Sequence, residues 1–309
     1  MLALGFMGSM VQSNSIGEAC ANAFGIQPWI IGIVVAALAA VIFIGGINRI
    51  ASVTEKLVPF MAIFYIIACL IVIFSRVVHI PEAFGMIFKY AFMPQAIIGG
   101  GIGSALKAAI SQGAKRGLFS NEAGMGSTPH AHALAKVEKP HDQGVVAMIG
   151  VFIDTFVVLT LTALTVISTL YAGNGPLADG VAEGISKTNM MQIAMGTLFT
   201  DTVGGILVAI CLFFFAFSTI ISWNLFGKIN FVYLFGKKSA LIYSILSVGF
   251  ILLGSFLSND LVWELTDTFN YLMVIPNAIA IVALSSMVKE AAKNARAKKK
   301  AKAEKSIEE

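Results

Sequence analysis

Long apolar runs, too continuous for the face of a soluble helix, alternate along this chain with short clusters of charge. The runs cover Trp29–Ile47, Leu57–Phe74, Gly144–Leu170, Ile206–Phe226, Ala240–Leu257 and about Asp267–Met287. Each is apolar on every side, the pattern of a helix that faces lipid or other helices. Each also approaches the roughly 20 residues that a helix needs to cross a bilayer. Leu2–Val11 is apolar but too short to cross, and it has no basic leader, so it does not read as a signal peptide. Its pattern predicts the second half of a helix that ends at Gln12. Two further segments mix apolar residues with breakers. Phe84–Gly113 holds Lys89, Pro94, Gly99–Gly101 and Lys107, and Gly117–Ala135 is rich in Gly and Ala with Pro129 inside.

Loop charge orients the spans, because Lys and Arg collect on the cytoplasmic side. That rule puts Asn48–Lys56, Lys136–Gln143, Gly227–Ser239 and the tail Lys289–Lys305 inside, and the acidic stretches Tyr171–Gly204 and Asp260 outside. Leu57–Phe74 then leaves the cytoplasm and Lys136 is back in it, so an odd number of crossings lies between. The favoured reading has one: a helix from about Leu106 to Ala135, broken near Phe119–Ser127. Phe84–Gly103 then lies on the outer surface as short helices and turns. Lys115 and Arg116 sit nearer the outer side, against the charge rule. The rival reading crosses at Phe84–Gly113 and leaves Gly117–Ala135 as a cytoplasmic loop.

Composition agrees with a membrane bundle. Of 309 residues, 57% are hydrophobic and only 12% charged, against about 25% charged in soluble domains; the mean hydropathy is +0.85. The expected class is therefore all-α, a polytopic transmembrane bundle over residues 1–288 with a basic cytoplasmic tail at 289–309. Much of the net charge of +4 lies in that tail. Lysines beside a span attract anionic lipid headgroups, at about 1 kcal/mol each, so a solvated, partly disordered tail is expected, not a nucleic-acid site. Cys20, Cys69 and Cys211 have neither disulfide nor metal spacing. His130 and His132, two apart, point to different helix faces, which suits no metal. No nucleophile–base pair stands out by spacing, so no enzyme and no cofactor are expected.

Gly117–Ala135, GLFSNEAGMGSTPHAHALA, carries the most chemistry. In a helix interior Gly costs about 1 kcal/mol and Pro about 3, and uncovered backbone in hydrocarbon costs several kcal/mol per group. Such a break persists only where it lines a cavity or is covered by protein. Discontinuous helices of this kind form substrate and ion sites in many secondary transporters, through freed amides and carbonyls. Physics alone leaves a second reading open, a glycine-packed helix end followed by a cytoplasmic turn.

Longer strings narrow the choice. KRGLFSNEAGMGSTPHAHA (Lys115–Ala133) is followed by Gln143-Gly144 and by Phe152-Ile153-Asp154-Thr155. Met10–Ser15, LVPFMAIFY from Leu57, FAFSTIISW from Phe215 and LVWELTDTFNYLMVIPN from Leu261 to Asn277 accompany them. In order and spacing these strings resemble the alanine/glycine:cation symporter family. The resemblance implies a five-plus-five inverted-repeat symporter fold, alternating access, and sodium-coupled uptake of alanine or glycine across the cell membrane. It implies that Phe119 packs against the substrate and that Gln12, Asn121, Thr219 and Trp223 also contact it, with Trp223 limiting side-chain size. Ser218 and Thr219 would hold sodium, the coupling ion. Gly124 and Gly126 would allow close backbone approach at the break. Glu122 is expected to brace the unwound backbone by accepting amide hydrogen bonds, Asp154 to bond a neighbouring helix, and Pro276 with Asn277 to kink the last helix.

The sequence departs from the family pattern at its start. About two and a half helices, including a glycine-rich broken first helix, have no match. The expected fold is therefore an incomplete inverted repeat, and the alternative function is a truncated, non-transporting membrane fragment or scaffold.

Overall fold

The computed structural model describes residues 1–44, 46–92, 102–180 and 182–308. Helices α1 to α4 are Ser9–Phe24, Pro28–Ile44, Gly46–Ser75 and Ile80–Phe92. Helices α5 to α8 are Ile102–Asn121, Pro129–His132, Pro140–Phe152 and Thr160–Val166, and α9 to α13 are Met190–Phe199, Asp201–Phe235, Ala240–Gly254, Asn259–Ala283 and Ser285–Glu308. Turns of π-helix at Leu2–Gly8, Ile153–Leu159 and Ile167–Tyr171 extend α1, α7 and α8. No strand occurs among the described residues. Proline opens α2, α6 and α7 at a first-turn position, where its missing N–H has no partner to lose.

Among the described residues five helices are long and apolar enough to cross a membrane: Ser52–Ser75, Pro140–Tyr171, Asp201–Phe235, Lys237–Gly254 and Asn259–Ala283. The chain is a multi-pass all-α membrane bundle, as the apolar runs predict. Several boundaries differ from expectation. The expected span Trp29–Ile47 is the shorter apolar helix Pro28–Ile44. Gly227–Ser239 is not a loop, since α10 continues to Phe235. The last span begins at Asn259, two turns before Asp267, and the basic tail is helical as α13. The short helix expected to end at Gln12 instead runs through the π-turn into α1 and stops at Phe24, so Gln12 lies mid-helix. A break lies where it is expected, since α5 ends at Asn121 and the four-residue α6 begins at Pro129, but neither helix is among the five long and apolar enough to cross. The glycine run Gly99–Gly101 and Pro94 lie outside the described residues.

The core forms around α10. Its buried residues Ala216, Phe217, Ile220, Ile221, Trp223 and Phe226 pack with Ile16 and Cys20 of α1 and Val35, Ala36, Ala39 and Phe43 of α2. Helices α1 and α10 run antiparallel. Gly8 is level with Trp223, since a Cβ there would lie 2.2 Å from the indole, and Gly205 is level with Ala23. Gly5 and Gly227 both press on the Tyr243 hydroxyl of α11. Small residues thus set the approach of the helices, as is usual where lipid offers no hydrophobic drive to pack.

Widened π-turns leave carbonyls without their usual helical partners. Around Leu2–Gly8 the neighbouring helices supply donors: Ser247 Oγ to Gly5 O at 2.8 Å, Thr266 Oγ1 to Met7 O at 2.9 Å and Tyr243 OH to Met1 O at 3.3 Å. The end of α11 and the turn after it are met from α1, where Asn14 Nδ2 donates to Gly254 O at 3.1 Å and Leu257 O at 2.9 Å. These bonds tie α1, α11 and α12 into one unit, whereas the first half of Pro140–Tyr171 is mostly exposed and its second half, from Leu164 to Leu170, is mostly buried.

Candidate functional site

The break between α5 and α6 departs sharply from helical backbone. Glu122, Gly124 and Gly126 have φ of 53°, 85° and 84°. Glycine adopts such angles freely, whereas a residue with a side chain does so at a cost. Glu122 is held there by its carboxylate, which accepts a hydrogen bond from Trp223 Nε1 of α10. Ser127 Oγ faces the same carboxyl without hydrogen-bond geometry, and both it and Glu122 Oε2 are buried and unpaired among the described residues. From the other side, Asn277 Nδ2 of α12 donates to Gly124 O at 2.8 Å. The Asn277 side chain also lies 3.0 Å from where a Gly126 Cβ would be. The break is thus clamped between α10 and α12. Glu122 braces it, as expected, but through an indole rather than through backbone amides.

Past the break, His130 Nδ1 lies 2.8 Å from Ser127 O and Nε2 lies 2.8 Å from Asn230 Nδ2. An amide N–H can only donate, so Nε2 accepts and Nδ1 carries the proton. This fixes α6 to the far part of α10.

Phe119, Trp223 and Trp263 form an aromatic layer directly before the break. Phe119 meets Trp223 edge-on at 5.5 Å and Trp263 at 5.0 Å. Thr219 lies one turn from Trp223 on the same face of α10, and Phe215 one turn further. Ser218 and Thr219 each donate their hydroxyl hydrogen to Phe215 O at 2.9 Å, which leaves their oxygen lone pairs open to a cation. Ser218 is also 3.8 Å from Met61 Sδ of α3. The antiparallel register puts Gln12, one turn beyond Gly8, level with Thr219, and its amide is half-buried with no hydrogen bond among the described residues. Asn121 turns the other way: its Oδ1 accepts from Thr155 Oγ1 at 2.9 Å and its Nδ2 reaches Gly117 O at 3.3 Å. Beside it Ser120 Oγ donates to Asp154 Oδ2 at 2.8 Å, so Asp154 does bond a neighbouring helix. The structure therefore gathers Phe119, Thr219, Trp223 and the level of Gln12, and leaves the Asn121 side chain outside that group.

A cavity of about 690 Å³ opens on the other side of the aromatic layer. Its wall includes Ser15 and Glu18 of α1, Arg116 of α5, Phe215 of α10, and Asn259 and Trp263 of α12. The expected site residues are one turn deeper than this wall: Gln12 beside Ser15, Phe119 beside Arg116, Thr219 beside Phe215. The sequence marks Arg116 only as a charge against the orientation rule, and it does not single out Trp263 as a site residue. Trp263 lies on Asn259–Thr266, whose polarity hides it from any search for apolar spans, although Asp260, Trp263 and Asp267 have the spacing of one helical face.

The protein comparisons agree with this architecture. The model of the sodium:alanine symporter family matches residues 1–309. The sodium/alanine symporter AgcS of Methanococcus maripaludis is 41% identical over 283 residues, 91% of this chain and 60% of that protein. A putative sodium/proton-dependent alanine carrier, YrbD, of Bacillus subtilis is 38% identical over 92% of this chain and 60% of its own length. A probable sodium/glutamine symporter, GlnT, of the same organism is 36% identical over 97% of this chain and 60% of its own. The chain thus spans about 60% of the length of these relatives. With the family model matched from end to end, the chain belongs to the sodium:alanine symporter family.

Proposed function

We propose that the chain serves sodium-coupled symport of a small neutral amino acid, alanine or glycine, across the cell membrane by alternating access. The observation that carries this reading is the single stripe Phe215–Thr219–Trp223. It leads from the cavity wall, past two hydroxyls with open lone pairs, to a broken helix clamped by Glu122 and Asn277. In this reading the amino acid lies between Thr219 and the Phe119–Trp223 layer, with Gln12 at the same level. Trp223 limits the size of the side chain in this reading. Asn121 joins the substrate contacts once its bond to Thr155 is exchanged. Ser218 and Thr219 offer oxygens to sodium, a hard cation suited to them. The break supplies backbone groups to the polar ends of the substrate.

The loop charges give the orientation: α13 and the turn Gly236–Ser239 face the cytoplasm, and the cavity opens outward. Residues 1–288 form the spanning core, and the lysines of 289–309 meet anionic lipid. The test is uptake of labelled alanine into proteoliposomes holding this chain, with and without an inward sodium gradient. Sodium-dependent accumulation, competed by unlabelled glycine and abolished in Trp223→Ala, supports the reading. Absence of accumulation counts for the non-transporting scaffold.

A further inference from the structure

The cavity wall holds charged groups that the proposed site does not use. Asp260, Trp263 and Asp267 lie at i, i+3 and i+7 of α12, along one face. Each holds a group from elsewhere: Asp260 pairs with Lys187 of the 172–189 segment, and Asp267 Oδ2 with Arg116 Nη2 at 2.9 Å. Trp263 carries the Arg116 guanidinium on its ring at 4.3 Å. The arginine is therefore fixed in place and still 44% exposed, while its partner Asp267 is 16% exposed. A guanidinium has five N–H donors in a fork matched to a carboxylate. Here one donor is used on Asp267, and the side chain borders the cavity. A carboxylate of opposite chemistry, Glu18, stands in the same wall, with its Oε2 accepting from Asn259 Nδ2 at 3.3 Å.

We propose that the cavity is a second amino-acid site, an antechamber in which Arg116 receives the carboxylate of the zwitterion in exchange for Asp267 and Glu18 faces its ammonium. The inference rests on the reading that an amino acid enters by this cavity. Arg116 lies three residues before Phe119, about 4.5 Å along the helix. An amino acid released from Arg116 therefore has one helical turn to travel, past Trp263, to Phe119. Stacking on Trp263 keeps the guanidinium from following it.

The test is calorimetric titration of the full chain in lipid nanodiscs, in sodium buffer, with alanine and with alaninamide, which lacks the carboxylate. Alanine should bind the wild type, and Arg116→Gln should weaken it about tenfold or more, the scale of a lost charge-assisted bond. Arg116→Lys should recover part of that loss. Asp267→Asn should bind alanine as well as the wild type or better, because the competing carboxylate is gone. Alaninamide should be indifferent to Arg116→Gln. Equal weakening by Arg116→Gln and Asp267→Asn would mean the ion pair is only structural and would overturn the proposal. So would no alanine binding to the wild type, or binding unchanged in Arg116→Gln. Because Arg116, Trp263 and Glu18 all belong to this chain, Arg116-dependent binding without sodium-driven uptake would defeat the transport reading and leave the antechamber standing.

Discussion

Substituting the two glycines of the break separates backbone strain from crowding. Both have φ near +85°, and an L-alanine held there costs about 1–2 kcal/mol. A methyl at Gly124 would meet only Leu118 Cδ2, at an ordinary 3.5 Å. A methyl at Gly126 would sit 3.0 Å from three atoms of Asn277 at once, and Asn277 cannot swing aside without giving up its bond to Gly124 O. That bond is worth about 1 kcal/mol net, so Gly126→Ala should cost roughly 2–3 kcal/mol and Gly124→Ala about 1–2. The assay is thermal unfolding of the purified chain in one fixed detergent, comparing wild type, Gly124→Ala, Gly126→Ala and each alanine in an Asn277→Gly background, which removes all three crowding atoms. Gly126→Ala should have the lowest midpoint of the single glycine variants. Without Asn277 the two alanines should cost the same. If Gly124→Ala were as damaging as Gly126→Ala, or if the gap persisted without Asn277, the clamp described here would be wrong.

Three other outcomes follow from the geometry. Glu122→Gln keeps an oxygen for Trp223 Nε1 and should unfold near the wild type, whereas Glu122→Ala strands a buried indole N–H and should cost about 1–3 kcal/mol; midpoints in the same detergent decide it. Asn14→Asp replaces a donor to Gly254 O and Leu257 O with an acceptor, so it should destabilise the chain more than Asn14→Ala in that assay. The Lys187–Asp260 pair is 62% and 79% exposed, so Lys187→Ala should change stability by less than about 1 kcal/mol; a larger drop would show that the segment is held mainly by this pair.

How much could be read beforehand depended on what each residue signals locally. The apolar runs gave the spans because a bilayer demands continuous hydrophobicity. The break was legible because Gly124, Gly126 and Pro129 cannot all sit in an uninterrupted helix. Helix α1 was not legible beyond Gln12, since Ser13, Asn14, Ser15 and Glu18 look like a surface. Asn14 turns inward to Gly254 O and Leu257 O, Glu18 to Asn259, and Ser15 to the cavity wall, while Ser13 Oγ is buried without a partner among the described residues. The start of α12 was hidden likewise, and the contact of Arg116 with Trp263 went unseen because it joins helices distant in sequence. The Trp223–Glu122 bond joins residues 101 apart, and no local pattern announces it.

Helix α10 has 35 residues and no proline, which makes it a rod of about 52 Å in a hydrocarbon layer of about 30 Å. Its midpoint falls at Ser218. The cavity lies along one arm, from Val208 to Phe215, and the His130–Asn230 contact on the other. A rocking of about 10° about that fulcrum would carry each tip roughly 4.5 Å, in opposite senses. Ser218 and Thr219 would hardly move. As a lever, α10 would widen the space at one end only by narrowing it at the other, and the two hydroxyls stand where the leverage is zero.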